Sequence, residues 1–131
     1  MVNIHPKIHG ILDYIIGLLF IFLPTLFKWE IISIPSLVFE ISGLTILLYS
    51  LITKYDLGIL NVISIQKHLL IDCCLGFFII LSPFIFGFYD ESYKYHLISG
   101  FLLMLLVGFS TTDSPSTHSG QYFSTTDKRH Y

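Results

Sequence analysis

Charged residues are scarce in this sequence, and alanine is absent altogether. Lys, Arg, Asp and Glu make up 12% of the 131 residues, whereas 53% are hydrophobic. Soluble chains average about 25% charged residues. A soluble domain of this size could not bury so much apolar surface, because small domains leave much of their surface exposed. The composition therefore excludes an ordinary soluble domain and favours an integral membrane protein whose surroundings are the lipid bilayer.

Other absences exclude further classes of protein. Without alanine the chain has no A-x-A-like cleavage site, so we expect the first apolar run to be a retained span rather than a cleaved signal peptide. The net charge is -2 and the basic residues are scattered, which argues against a nucleic-acid partner. Cys73 and Cys74 are adjacent, a poor geometry for a mutual disulfide, and we expect buried thiols that pack as small apolar groups. No P-loop, G-x-G-x-x-G or G-x-S-x-G motif occurs, so we predict no enzyme and no cofactor.

Four apolar runs, at about 8–27, 36–53, 68–88 and 95–109, dominate the chain. Each is close to the roughly 20 residues that cross a bilayer as a helix. The short connections between the first two and the last two predict antiparallel hairpins, and Ser36 is a candidate N-cap for the second helix. We therefore predict an all-α membrane protein, a four-helix bundle of transmembrane helices.

A pattern of polar residues, H-x3-D-x3-G-x6-P, occurs twice in these runs. Its first copy recurs 59 residues later, and a Ser-Gly pair in the second run recurs 57 residues later in the fourth. We interpret this as two tandem helical-hairpin repeats, at about 5–56 and 64–113, within a transmembrane domain of residues 1–113. A polar tail, 114–131, follows and is expected to be mobile. The paired positions are His9 and His68, Asp13 and Asp72, Gly17 and Gly76, Pro24 and Pro83, and Gly43 and Gly100.

The distribution of basic residues predicts the orientation. Five of them share one side of a four-span protein, whereas Lys28 and Lys94 lie on the other. By the positive-inside rule both termini are then cytoplasmic, with an aromatic belt of Trp29 and nearby tyrosines at the outer interface. The five are Lys7, Lys54, Lys67, Lys128 and Arg129.

The His and Asp of each copy fall on one face of a helix, because residues four apart lie one turn apart. In the structural interpretation each Asp accepts a hydrogen bond from the His one turn earlier on its own helix. The glycines of the pattern, with Gly43 and Gly100, then allow helices to approach closely. Pro24 and Pro83 are expected to kink or end their helices.

The alternative is a shared polar site, because ionisable groups within a membrane span are costly and often functional. His9, Asp13, His68 and Asp72 are candidate ligands of a divalent metal, and the two histidines are candidate haem ligands. A proton or ion path would use Asp13, Asp72 and Glu40. Glu40 is expected either to reach the outer interface or to pair with His96.

The segment Leu-Ser-Pro-Phe-Ile-Phe-Gly-Phe at 81–88 resembles the signature of the SPW-repeat membrane proteins, with Phe84 in place of the tryptophan. In the first half, Leu23-Pro24-Thr25 keeps only the proline. The resemblance implies a small integral protein of the bacterial cytoplasmic (inner) membrane. It brings no established reaction, so it implies no catalytic residues.

These observations favour a structural, accessory or interaction role. The partners would be a second copy of the chain or another membrane protein. A small ion- or proton-coupled transporter or channel is the first alternative, and a metal- or haem-binding membrane protein is the second. The helix faces decide among them, according to whether the two His–Asp pairs meet.

Overall fold

The structure, a computed structural model, describes residues 4–89 and 92–110. It contains four helices, α1 (Pro6–Leu26), α2 (Ile34–Leu51), α3 (Ile65–Phe86) and α4 (Tyr93–Gly108). The predicted all-α membrane fold is confirmed: α1, α2 and α3 are long and apolar enough to cross a membrane, and α4 is a shorter apolar helix. The predicted polar tail, 114–131, lies outside the described residues.

Helix α2 begins earlier than the sequence indicated. Its N-cap is Ser33, whose side chain accepts a hydrogen bond from the backbone N–H of Ser36. The prediction that Ser36 caps this helix was therefore wrong. Pro35 lies in the first turn, where a missing N–H costs nothing because that N–H would have no helical partner.

Close glycine contacts hold each hairpin together. A Cβ added to Gly43 would lie 2.5 Å from the carbonyl oxygen of Gly17, and one added to Gly100 would lie 2.5 Å from that of Gly76. α1 thus crosses α2, and α3 crosses α4, with the two backbones in direct contact. Small residues permit such approach between helices in membranes.

Pro24 and Pro83 lie in the last turns of α1 and α3, and both side chains are fully buried. The carbonyl oxygen of Pro24 accepts a hydrogen bond from the N–H of Trp29 at 2.9 Å, and that of Pro83 from the N–H of Phe88 at 3.1 Å. Each proline therefore precedes the end of its helix by a few residues, where the chain turns into the next connection.

The bundle buries a small apolar core and exposes a large apolar surface. Phe39, Ile46 and Ile79 are completely buried, whereas side chains such as Phe77 and Leu70 are more than half exposed. Such extensive apolar exposure is unusual for a soluble monomer and suits contact with lipid. Cys74 is exposed on this surface, so the expectation that both thiols are buried was wrong. It lies two residues after Asp72, which places it on the opposite side of α3 from the face that points to the interior.

Two isolated β-bridges close one end of the bundle. Thr53, after α2, pairs with Ile63, just before α3, and Ser110, after α4, pairs with Ile4, just before α1. Each bridge brings the end of one helix to the start of another. The His and Asp residues of the repeated pattern in α1 and α3 lie in the bundle interior close to this end.

Candidate functional site

His9 and Asp13 of α1 meet His68 and Asp72 of α3 in the interior of the bundle, and all four side chains are fully buried. Nε2 of His68 lies 2.8 Å from Oδ2 of Asp13 and 3.1 Å from Oδ2 of Asp72. Nε2 of His9 lies 3.0 Å from Oδ2 of Asp72 and 3.4 Å from Oδ1 of Asp13. The four side chains form a single group, which we call the His–Asp cluster.

The shortest contacts of the cluster join different hairpins. The sequence suggested that each Asp accepts a hydrogen bond from the His of its own helix. In the structure, His9 bonds to Asp72 and His68 bonds to Asp13. The contacts within one helix are present but longer than the crossed contact of the same histidine, at 3.1 Å between His68 and Asp72 and 3.4 Å between His9 and Asp13, because α1 and α3 turn their polar faces toward each other. The partner across the interface is then closer than the residue one turn away.

The second ring nitrogen of His68 is held by a hydroxyl group. Nδ1 lies 2.8 Å from Oγ1 of Thr53, and this hydroxyl donates its hydrogen to the carbonyl oxygen of Tyr49 at 2.6 Å. Because a hydroxyl has only one hydrogen, Thr53 must accept from His68. The geometry therefore assigns a proton to Nδ1 of His68.

The same arrangement holds His9 in the other half of the molecule. Its Nδ1 lies 2.7 Å from Oγ of Ser110, which donates to the carbonyl oxygen of Leu106 at 2.6 Å. Nδ1 of His9 is therefore also a donor. In both histidines Nε2 is left to face the carboxylates.

The two carboxylates differ in one partner. Oδ1 of Asp72 accepts a hydrogen bond from the hydroxyl of Tyr49. With the offset of 57 residues that relates Thr53 to Ser110, the counterpart of Tyr49 is Leu106, which has no hydroxyl to donate. Among the described residues, Oδ1 of Asp13 is buried and accepts no hydrogen bond. Asp13 is therefore the less satisfied carboxylate.

Tyr55, in the connection between α2 and α3, covers the cluster. Its ring contacts that of His68, with centroids 5.7 Å apart, and it occupies the space that a Cβ on Gly10 would need. Tyr55 also lines a small cavity of about 20 Å³ at the end of the bundle, room for about one water molecule. Burial raises the pKa of the Tyr55 phenol, so it stays protonated and neutral around pH 7.

Sequence reasoning missed the hydroxyl partners of the cluster, Tyr49, Thr53 and Ser110. A signal for two of them was present, because Thr53 and Ser110 are hydroxyl residues at the 57-residue offset that relates Gly43 to Gly100. Tyr49 gave no such signal, since its counterpart is apolar.

Glu40 and His96, the other two candidates, lie apart from the cluster. Nδ1 of His96 is 2.9 Å from the carbonyl oxygen of Ser92, and Nε2 is 3.1 Å from that of Pro35. Glu40 is partly exposed, and among the described residues no hydrogen bond or ion pair joins it to His96. Glu40 lies nine positions before Tyr49, about 14 Å along the axis of α2.

The cluster offers ligands to a small cation but leaves no room for haem. One ligand atom from each of the four residues can be chosen so that all lie within 4.8 Å of one another. The two imidazole rings, however, meet edge to face with centroids 5.3 Å apart. A porphyrin cannot enter between rings in direct contact, so this arrangement does not fit the bis-histidine haem alternative.

The Ser-Pro-Phe triplet in α3 lies at the end of the bundle opposite the cluster's cover. Ser82 is buried and donates a hydrogen bond to the carbonyl oxygen of Ile79 at 2.7 Å, whereas Phe84 is 57% exposed on the outer surface.

No curated protein and no solved structure matches the chain. The profile of one family, the SPW repeat domain, does match, over residues 7–110, which span all four helices. The chain therefore belongs to the SPW repeat family of proteins.

Proposed function

We propose that this protein is a non-catalytic membrane module with a structural or accessory role, in which the His–Asp cluster locks two helical hairpins together. The observation that carries the proposal is the crossed pairing of the cluster. His9 of the first hairpin bonds to Asp72 of the second, and His68 of the second bonds to Asp13 of the first. Neither hairpin alone satisfies its own polar groups.

The burial of the cluster supports this role over catalysis. All four side chains are inaccessible, and the cavity at this end of the bundle, lined in part by Tyr55, holds about 20 Å³. A substrate would need an open cleft, and binding pockets for small molecules are typically a few hundred Å³. Groups closed off in this way hold helices together more readily than they act on a ligand.

We further propose that the protein lies in a bacterial inner membrane with the cluster end toward the cytoplasm. Lys7, Lys54 and Lys67 flank the starts of α1 and α3 and the end of α2, and positive charge favours the cytoplasmic side. Reporter fusions after residues 28 and 54 test this orientation. A periplasmic signal at residue 54 would show that the true orientation is the opposite one.

Native mass spectrometry tests for partners, because it would reveal a homo-oligomer or a membrane-protein partner.

Unfolding of the full-length protein tests the lock. The double variant His9→Ala, His68→Ala leaves Asp13 without a donor among the described residues and leaves Asp72 with the Tyr49 hydroxyl as its donor, and removing one side of a buried ion pair costs about 3–5 kcal/mol. We expect the midpoint of thermal unfolding in detergent to fall by roughly 10 °C or more.

The matched control is His5→Ala, which removes an exposed histidine outside the cluster. Its midpoint should stay within a few degrees, because only a helix cap is altered. A double variant as stable as this control would show that the cluster does not hold the hairpins together.

A further inference from the structure

Both ring nitrogens of each cluster histidine have defined surroundings. Thr53 fixes the Nδ1 proton of His68, and Ser110 fixes that of His9. In a neutral ring the remaining nitrogen, Nε2, then carries a lone pair. In both rings that lone pair is directed at carboxylate oxygens, which are also acceptors. Acceptors 2.8–3.4 Å apart require positive charge between them, supplied by protons or by a metal ion.

The contacts converge on one centre and do not form two separate pairs. Nε2 of His9 lies near both Asp72 and Asp13, and Nε2 of His68 lies near both Asp13 and Asp72. Each nitrogen thus approaches both carboxylates. Ligands bound at about 2.0 Å to a tetrahedral zinc ion lie about 3.3 Å from one another, close to the contact distances in the cluster.

An independent feature of the cluster points to an absent ligand. Oδ1 of Asp13 is buried without a hydrogen bond among the described residues and is directed into the cluster, 3.4 Å from Nε2 of His9. A buried carboxylate oxygen without a partner is costly. A cation at the centre would supply that partner.

We propose that the His–Asp cluster binds one divalent transition-metal ion, of which zinc is the reference case, through Nε2 of His9, Nε2 of His68, Asp13 and Asp72. Two neutral imidazoles and two carboxylates carry a charge of -2, which a divalent ion neutralises. Imidazole and carboxylate are ordinary ligands for zinc and its neighbours. Cys73 and Cys74 lie outside the group of potential ligands, so the site has no thiolate to favour copper(I).

The surrounding hydroxyls complete this site in the manner of known metal centres. A metal-bound histidine usually donates its other N–H to an acceptor that fixes the ring, which is what Thr53 and Ser110 receive from His68 and His9. The hydroxyl of Tyr49 holds the Asp72 carboxylate in place. Four protein ligands leave no open position, so the ion would be structural and not catalytic.

Metal binding is additional to the proposed structural role of the cluster and is separable from it. Protons between the carboxylates and imidazoles would hold the hairpins without metal. A metal-free protein that still needs the cluster for stability would overturn this inference and leave the lock intact.

Metal analysis of the full-length protein is the first test. Wild type, His5→Ala and the double variant His9→Ala, His68→Ala are purified in detergent without chelator or a polyhistidine tag, equilibrated with micromolar zinc and passed through a desalting column. We expect about one ion per chain in wild type and His5→Ala, and at least about a tenfold loss in the double variant. Equal, near-zero metal in wild type and double variant overturns the site.

X-ray absorption at the zinc edge of the wild-type protein keeps the test decisive if the double variant does not fold. The site predicts two imidazoles and carboxylate oxygens at about 2.0–2.2 Å. A shell of sulfur, or of water oxygens without imidazole, would place the ion elsewhere and overturn the proposal.

Discussion

The two hairpins contribute nearly the same parts to the His–Asp cluster, but they differ in one hydroxyl donor to a carboxylate. Each provides a His, an Asp and a hydroxyl that holds the other hairpin's His, and each is closed by a glycine contact. The difference is Tyr49 in the first hairpin against Leu106 in the second. Tyr49 satisfies Asp72, whereas among the described residues Asp13 keeps an oxygen without a hydrogen bond. The shared parts bring the hairpins together, and the difference makes the two carboxylates unequal.

Removal of the cluster carboxylates should have the largest effect on stability and should show that the two carboxylates are unequal. Asp72→Ala deprives His9 and the Tyr49 hydroxyl of their acceptor, and we expect it to lower the free energy of unfolding by about 3–5 kcal/mol. Asp13→Ala should cost about 1–2 kcal/mol less, because Asp13 accepts one hydrogen bond fewer. Equilibrium unfolding in mixed detergent micelles measures both.

The control for the carboxylates is Asp56→Ala, since the Asp56 side chain is 66% exposed. It should change stability by no more than about 0.5 kcal/mol. Equal losses for Asp13→Ala and Asp72→Ala would mean that the asymmetry at Tyr49 has no energetic consequence.

The glycine contacts should contribute about equally to the stability of the two hairpins. Gly43→Ala and Gly100→Ala each place a methyl group 2.5 Å from a backbone carbonyl oxygen, and the helices must separate to admit it. We expect each to cost about 2 kcal/mol, the usual cost of overpacking, as measured by unfolding in micelles. Gly108→Ala is the control, because no atom of the described part of the chain lies within 4 Å of the added methyl group. A large loss at only one of the two crossings would show that the hairpins are not held alike.

Most of the fold followed from the sequence because it depends on local properties. The apolar runs and short connections indicated four helices in two hairpins, and the helices begin and end within a few residues of the expected positions. Ser36 was misjudged because its neighbour Ser33 competes for the cap and Pro35 is favoured just inside a helix. Side-chain chemistry alone does not rank two serines three residues apart.

The cluster could be predicted only in part, because its pairing is tertiary. The repeated spacing placed His9 with Asp13, and His68 with Asp72, on one face of each helix, but it left open whether the faces meet. A helix can turn such a face toward lipid, toward its hairpin partner or toward the other hairpin. The crossed pairs depend on how α1 packs against α3. The contact of Tyr49 with Asp72 depends on where the end of α2 lies in the bundle.

The hydroxyl of Tyr49 can be removed with a very small chemical change, which tests directly whether it makes the two hairpins unequal. Tyr49→Phe removes one oxygen atom and makes the first hairpin resemble the second, where Leu106 donates nothing. We expect a loss of about 1–2 kcal/mol in unfolding free energy, because hydrogen bonds within membrane proteins are modest and those to a charged group are stronger. Tyr14→Phe is the matched control, since its hydroxyl donates to the neutral carbonyl oxygen of Leu57 at 3.1 Å, and it should cost less than Tyr49→Phe.

The double variant Asp13→Ala, Tyr49→Phe tests whether the two carboxylates act together. The losses of unfolding free energy in the two single variants should not add up to the loss in the double variant, because both changes act on one connected group of hydrogen bonds. Strict additivity would mean that the carboxylates act independently, and the two crossed pairs would then be separate bonds with no common centre.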